Sequence, residues 1–258
     1  MIHVKPKKQL GQHFLNDKNI AAKIVDSLSS ETKNLLEIGP GTGVLTDFIL
    51  KKNIAGFKII EIDKESVDFL NERYPQLKEQ LIFGDFLKID LEDIYNETFS
   101  IVGNFPYNIS SQILFRVWEH RQKVDEVVGM FQKEVAERIA AGPGSKTYGI
   151  LSVLLQAYYD IEYLFTVNED VFTPPPRVKS GVIRLKRNST IKLDCNEKFF
   201  KTVIKTAFNQ RRKTISNSLK SLGFKNFLEE LGHIAGQRPE QLSVSEFVEI
   251  TKVLETPS

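Results

Sequence analysis

Four consecutive residues, Asn104-Phe105-Pro106-Tyr107, carry the groups best suited to chemistry in this 258-residue chain. Asparagine supplies a carboxamide oxygen. The carbonyl of Phe105, which precedes proline, is held by the fixed φ of the ring that follows, and Tyr107 adds a flat aromatic face. Two fixed acceptors beside an aromatic ring suit a planar base with an exocyclic amine: the acceptors take its N–H bonds and the ring stacks on it. The plainer alternative is a loop in which Asn104 caps a helix beginning near Ser110. A second group points to a nucleoside. Glycines at 39, 41 and 43, directly after Glu37-Ile38, let the backbone turn sharply and let a ligand approach it closely. Val44 stands where the dinucleotide fingerprint needs glycine, and no Lys-Ser/Thr pair follows, so neither that fingerprint nor a GxxxxGK[ST] phosphate loop is met. Glu61, 18 residues past Gly43, lies where a carboxylate accepts from both ribose hydroxyls.

These groups need elements that bring them to one place. Short apolar runs ending at Ile38, Glu61, Asp85 and Asn104 predict four strands, and helical periodicity predicts helices at 20–28, after Val44, after Asp63, at 109–121 and at 132–141. Alternating strands and helices imply an α/β fold with a mostly parallel sheet, in which Gly39, Gly41, Glu61, Asp85 and Asn104 all fall at the carboxyl ends of strands, where open sheets bind ligands. Further strands are predicted at 157–167 and 180–187, the second antiparallel to the first, flanking Phe172-Thr173-Pro174-Pro175-Pro176, whose prolines exclude a central strand. The remainder is purely helical. The expected organisation is a catalytic domain with a basic N-terminal arm over 1–188 and a helical domain over 189–258.

Net charge is only +2, yet between Arg177 and Lys225 there are 14 Lys or Arg against Asp194 and Glu197 alone. So uneven a distribution fits a polyanion-binding face, although a solvated helix surface is the usual meaning of a charge run. Phe172 beside Arg177 and Lys179 suits a flipped base with its phosphates nearby. Arg211, Arg212 and Lys213 are expected on a helix whose other face, with Ala207, Phe208, Ile215 and Leu219, packs, so that the cations meet phosphates; Lys5, Lys7 and Lys8 add to them. Hydrophobic residues make up 41% and charged residues 26%, which excludes a disordered chain. No run reaches the ~18 apolar residues of a membrane helix, and no apolar block follows the basic N-terminus as a secretion signal requires. Cys195 is the single cysteine and the histidines at 3, 13, 120 and 233 show no ligand spacing, so a cytoplasmic, metal-free protein is expected.

GQHFL, LLEIGPGTGVLT, IIEID, VGNFPYNIS, MFQKEVAERI, KTYGILSV, VFTPPPRVKSGV and TAFNQRRKTISNSL occur here in the order found in the ribosomal RNA adenine N6-dimethyltransferases, and the chain resembles that family from about Gln9 to Leu222. The resemblance implies a Rossmann-like methyltransferase sheet of seven strands, mostly parallel with an antiparallel hairpin end, and a small all-α C-terminal domain. It implies S-adenosylmethionine (SAM) as methyl donor, no metal, and a monomer acting on the small ribosomal subunit. The substrate would be two adjacent adenines of a hairpin loop near the 3′ end of 16S rRNA, with a role in subunit biogenesis. His13 and Leu15 of the arm would close over SAM, Gly39 and Gly41 lie against it, Glu61 hold its ribose, Asp85 its adenine, and Asn104 stand between cofactor and target base. Pro106 stiffens the catalytic loop, and Tyr107 and Phe172 would sandwich the target adenine. Two positions depart from the family's usual pattern: His13 where many members carry Asn, and Phe105 for Leu or Ile. Three other readings remain open: a large-subunit rRNA methylase of the erythromycin-resistance type, against which NQRRKTISNSL argues; a DNA adenine methylase, whose Asn/Asp-Pro-Pro-Tyr motif is absent; and a non-catalytic assembly factor that retains SAM.

Overall fold

Runs such as Leu35-Leu36 and Ile101-Val102 are apolar on successive residues, so both faces of their strands must be buried. In the computed structural model, which describes residues 4–255, they lie inside one sheet. Its strands are β2 (Asn34–Ile38), β3 (Gly56–Glu61), β4 (Leu81–Phe83), β5 (Phe99–Asn104), β6 (Val124–Gln132), β7 (Tyr159–Val167) and β9 (Ser180–Arg187), in the spatial order β4-β3-β2-β5-β6-β9-β7. β2 is parallel to both β3 and β5, β4 extends the sheet beyond β3 and β6 beyond β5, and β9 is inserted antiparallel to β6. The chain leaves β2 towards β3 on one side and returns to β5 on the other, and that reversal opens the crevice at the carboxyl ends of the strands where doubly wound sheets take ligands.

Helices α1 (Lys18–Asp26), α2 (Thr46–Ile49) and α3 (Lys64–Arg73) follow the arm, β2 and β3. Asp17 caps α1 by accepting from the Asn19 and Ile20 amides at 2.8 and 3.0 Å, and Asp63 caps α3. Ala21, Ile24 and Val25 of α1 are fully buried against Leu35, Ile59, Leu70, Val102, Val128 and Met130 in one apolar core. Burying each such aliphatic side chain stabilises the fold by roughly 1.5–3 kcal/mol. The same core takes in Leu15 and Phe172, because a two-stranded sheet unforeseen in the sequence joins the arm to the proline loop: β1 (Phe14–Leu15) pairs antiparallel with β8 (Phe172–Thr173). Two-residue strands carry no periodicity that a sequence reading can detect.

Packing divides the chain into two units, and not at residue 188 alone. The described residues up to Ala136, with Ile161–Arg187, form one; Glu137–Asp160 and the residues from Asn188 onward form the other. The segment 137–160, expected in the catalytic domain, therefore contributes to the helical unit through α6 (Ile150–Gln156). In that unit α6 and α7 (Glu197–Asn209) are neighbours, and α7 also packs on α8 (Ile215–Ser218) and α10 (Val244–Leu254), with α9 (Leu228–Ala235) against α10. Tyr148, Phe200, Val203, Ile204, Phe247 and Ile250 are fully buried there, which accounts for the apolar stripe of α7. Among the described residues no helix is long and apolar enough to cross a membrane.

Candidate active site

The crevice holds a cavity of about 280 Å³ whose lining includes Glu37, Gly39, Gly41, Glu61, Asp85, Asn104, Pro106 and Tyr107 together with Gln9–Leu15 of the arm. Parallel pairing sets Glu37 opposite Ile59 and Val102, and Glu61 opposite Phe83, so residues far apart in sequence end their strands together. Gly39 has φ +64° and a Cβ placed on it would meet no protein atom within 4 Å. Its bare face opens on the cavity, a cradle that any side chain would fill. Glu61 is 3% exposed, and its carboxylate accepts from the Ile62 and Asp63 amides at 2.8 and 2.9 Å and from the Gly41 amide at 3.2 Å. Burial raises the Glu61 pKa, with these three amides opposing the rise. Asp85 accepts from the Leu87 amide at 2.9 Å, which fixes its carboxylate at the cavity wall.

Asn104 is oriented from the arm. Its Nδ2 donates to the His13 carbonyl at 2.9 Å, and since only the amino end of a carboxamide can donate, Oδ1 is left as an acceptor. The helix-cap reading fails: α4 (Ser110–Glu119) follows Ile109, which makes no side-chain cap, and the Asn104 carboxamide is engaged elsewhere. Phe105 is 1% exposed and tilts against Phe131 with ring centroids 5.0 Å apart. A Cβ on Gly129 would lie 2.2 Å from its ring, so the larger residue fits because β6 is bare there. The Tyr107 hydroxyl is hydrogen-bonded to that of Ser180 at 2.6 Å, and burial raises its pKa. Across its face stacks the imidazole of His13, with centroids 5.6 Å apart and planes 26° from parallel. A carbonyl only accepts, so His13 holds its proton on Nδ1 in donating to Pro174 O at 2.7 Å. The arm is further pinned by Lys7, whose Nζ lies 2.5 Å from Asp63 and 3.2 Å from Glu65. Burial raises the Asp63 pKa, but the hydrogen bonds from Lys7, Gln12 and Ser66 outweigh it and leave the carboxyl below its usual range.

The model of the ribosomal RNA adenine dimethylase family matches residues 3–256. The chain belongs to that family. It is 59% identical to ribosomal RNA small subunit methyltransferase A of Cytophaga hutchinsonii over 98% of this chain and 99% of that protein. The protein of the same name from Flavobacterium johnsoniae is 57% identical over 99% of this chain and 98% of its own length. Among solved structures, a dimethyladenosine transferase from Plasmodium falciparum superposes with a TM-score of 0.78 at 26% identity, covering 92% of this chain and 96% of that one. The dimethylase is thus a SAM-dependent methyltransferase of rRNA adenine, built on the seven-stranded sheet. Its cavity suits that cofactor: an open glycine wall, the buried Glu61 carboxylate at the end of β3, and in Glu37 a buried carboxyl oxygen with no hydrogen-bond partner among the described residues.

The remaining expected site residues lie outside this cavity. Phe172 is 3% exposed, belongs to the core through its pairing with Leu15, and does not line the cavity; His13 holds the position facing Tyr107. Arg177 and Lys179 are exposed on the proline loop. Arg211, Arg212 and Lys213 are not on a helix, because α7 ends at Asn209 and α8 begins at Ile215. Arg211 donates to the Lys146 carbonyl and lies 3.7 Å from Glu240, which leaves Arg212 and Lys213 exposed. Lys7 is engaged by Asp63, while Lys5 and Lys8 are exposed. Among the described residues no His/Cys/Asp/Glu group has the geometry of a metal site. Sequence reasoning missed Glu37 as a wall of the site, although its place directly before the glycine turn was the signal.

Proposed function

We propose that this dimethylase transfers two methyl groups to the N6 amine of each of two adjacent adenines in a hairpin loop near the 3′ end of 16S rRNA, acting as a monomer on the small subunit in the cytoplasm and serving its biogenesis. The orientation of Asn104 carries the chemical part of this reading: its amino end is tied to the arm and its oxygen is left to accept from a substrate amine. The adenine N6 is a poor nucleophile, because its lone pair is delocalised into the ring. Asn104 Oδ1 and the Phe105 carbonyl would accept both N–H bonds in the first transfer and the one remaining in the second, favouring a more tetrahedral nitrogen and stabilising the positive charge that develops on it. When bound, SAM supplies a methyl group already activated on a sulfonium. Asn104, Pro106 and Tyr107 then lower the barrier mainly by holding N6 in line with that methyl. A methylated amine this acidic loses its proton readily to water, and none of these groups has to act as a base. Glu61 and Asp85 would hold the cofactor's ribose and adenine, with Gly39, Gly41, His13 and Leu15 closing around it. Exposed Arg177, Lys179, Arg212 and Lys213 would meet phosphates.

The small subunit is favoured by the names of the relatives at 59% and 57% identity. Methyl incorporation from labelled SAM into unmethylated small subunits, large subunits and naked rRNA, followed by base analysis, tests the assignment. N6,N6-dimethyladenine confined to small-subunit particles is expected. Labelling confined to large-subunit RNA would overturn the subunit assignment, and SAM binding without any labelling would favour an assembly factor.

A further inference from the structure

Glu37, at the carboxyl end of β2, is fully buried in the wall of the cofactor cavity. Its Oε2 accepts from the Thr46 hydroxyl at 2.7 Å, and its Oε1 has no hydrogen-bond partner among the described residues. The charged groups that act on it are acidic: Glu61 from β3 and Asp47 from α2. Asp47 is itself met by Arg73 and by the Tyr74 hydroxyl, each at 2.6 Å, so the Arg73 charge is engaged by Asp47. A carboxylate at this position would be an unpaired charge out of water, held by one hydroxyl and facing a second carboxylate, an arrangement that proteins avoid by keeping the proton. Burial, with Glu61 adding to it, raises its pKa to about 8. Yet the cavity it lines belongs to a family whose methyl donor carries a fixed positive charge at sulfur.

We propose that Glu37 is a neutral carboxylic acid in the cofactor-free protein and releases its proton to solvent when the sulfonium cofactor binds. The O–H bond of Glu37 breaks, its electron pair stays on the carboxylate, and the proton goes to buffer. The new carboxylate would be stabilised by the positive charge brought into the cavity that Glu37 lines. Binding of the methyl donor is therefore proton-coupled. The demethylated product has lost the sulfonium charge and gives Glu37 less reason to remain ionised, so the site distinguishes donor from product by charge as well as by the methyl group.

Calorimetric titration of the full chain with SAM, in buffers of different ionisation enthalpy near pH 7, reads the protons exchanged per cofactor bound. Release approaching about one proton is expected with SAM. Sinefungin, whose amine carries a charge in place of the sulfonium, should match it, and S-adenosylhomocysteine should release clearly less. Glu37→Gln should abolish the difference between SAM and the product. Binding of SAM with no proton exchanged, or equal release in Glu37→Gln, would overturn the proposal; the latter would assign the proton to Glu61. Isotope-edited infrared spectroscopy of the wild-type protein gives a second test that needs no variant. A protonated carboxylic C=O band should be present without cofactor and be lost on adding SAM, and its absence from the free protein would equally overturn the proposal. A chain that binds no SAM at all would instead contradict the assignment of the cofactor.

Discussion

Asn104 and Glu37 show how one hydrogen bond, made or missing, sets what a side chain can do. Asn104 has its amino end satisfied by the His13 carbonyl, so Asn104→Ala removes the acceptor proposed for N6 and leaves the Glu61 and Gly39 walls in place. Methyl transfer should fall to background, while SAM affinity stays within roughly tenfold, or ~1.4 kcal/mol. Near-wild-type turnover would remove Asn104 from the reaction. Glu37 lacks such a partner at Oε1 among the described residues, and its consequence is a pH dependence of stability. The folded protein keeps the Glu37 proton up to about pH 8, whereas the unfolded chain gives it up in the ordinary carboxylate range. Stability is therefore highest at low pH as far as this group is concerned, and falls as pH rises towards and through about 8. Without cofactor, Glu37→Gln should flatten that decline by an amount on the order of a few kcal/mol. Urea midpoints at mildly acid and mildly alkaline pH check it, and parallel profiles for the two proteins would show that Glu37 is already ionised in the fold.

At the scale of elements, the arm is held by a short strand pairing and by side-chain contacts. Two residues of β1 pair with β8, the His13 carbonyl meets Asn104, and Lys7 meets Asp63 at the start of α3. Lys7→Ala should speed SAM dissociation several-fold in stopped-flow measurements and leave the melting temperature nearly unchanged, because the pair is partly solvated and the sheet core does not depend on it. An unchanged dissociation rate would mean that the arm stays closed without Lys7. Strands β5 and β6 pose the opposite case, a fit with no slack. The Phe105 ring sits over Gly129, so Gly129→Ala must displace it. A cost of about 1–3 kcal/mol in denaturant unfolding is expected, with a loss of turnover as the Asn104-Pro106-Tyr107 loop shifts. Full activity in that variant would show that the loop position does not depend on Phe105.

At the scale of the whole molecule, the basic segment holds both cations engaged within the fold and exposed cations proposed to meet RNA phosphates. Arg211 is tied to the Lys146 carbonyl and approaches Glu240, whereas Arg212 and Lys213 are exposed. Replacing Arg212 and Lys213 together by Ala should weaken binding to small-subunit RNA and reduce the magnitude of its salt slope by roughly 0.7–0.9 for each phosphate no longer neutralised, without changing stability. Arg211→Ala should instead lower stability within the helical unit. An unchanged salt slope in the double variant would place the RNA on another face.

The α/β alternation, the strand ends that carry Gly39, Glu61, Asp85 and Asn104, and the asparagine motif are all legible in residue order, because buried parallel strands and glycine turns leave local patterns in residue type. So is the basic segment, since charge is additive along a chain. Which of those residues meet depends on long-range pairing and packing. Phe172 enters the core and His13 faces Tyr107 through a pairing of two residues with two, Phe14 with Thr173 and Leu15 with Phe172, distant in the chain and too short to leave a period. Residues 137–160 join the helical unit because their apolar side chains find partners on α7, a choice made by packing. Whether Glu37 is charged depends on burial and on which neighbours surround it, and no property of the string EIGPGTG contains that information.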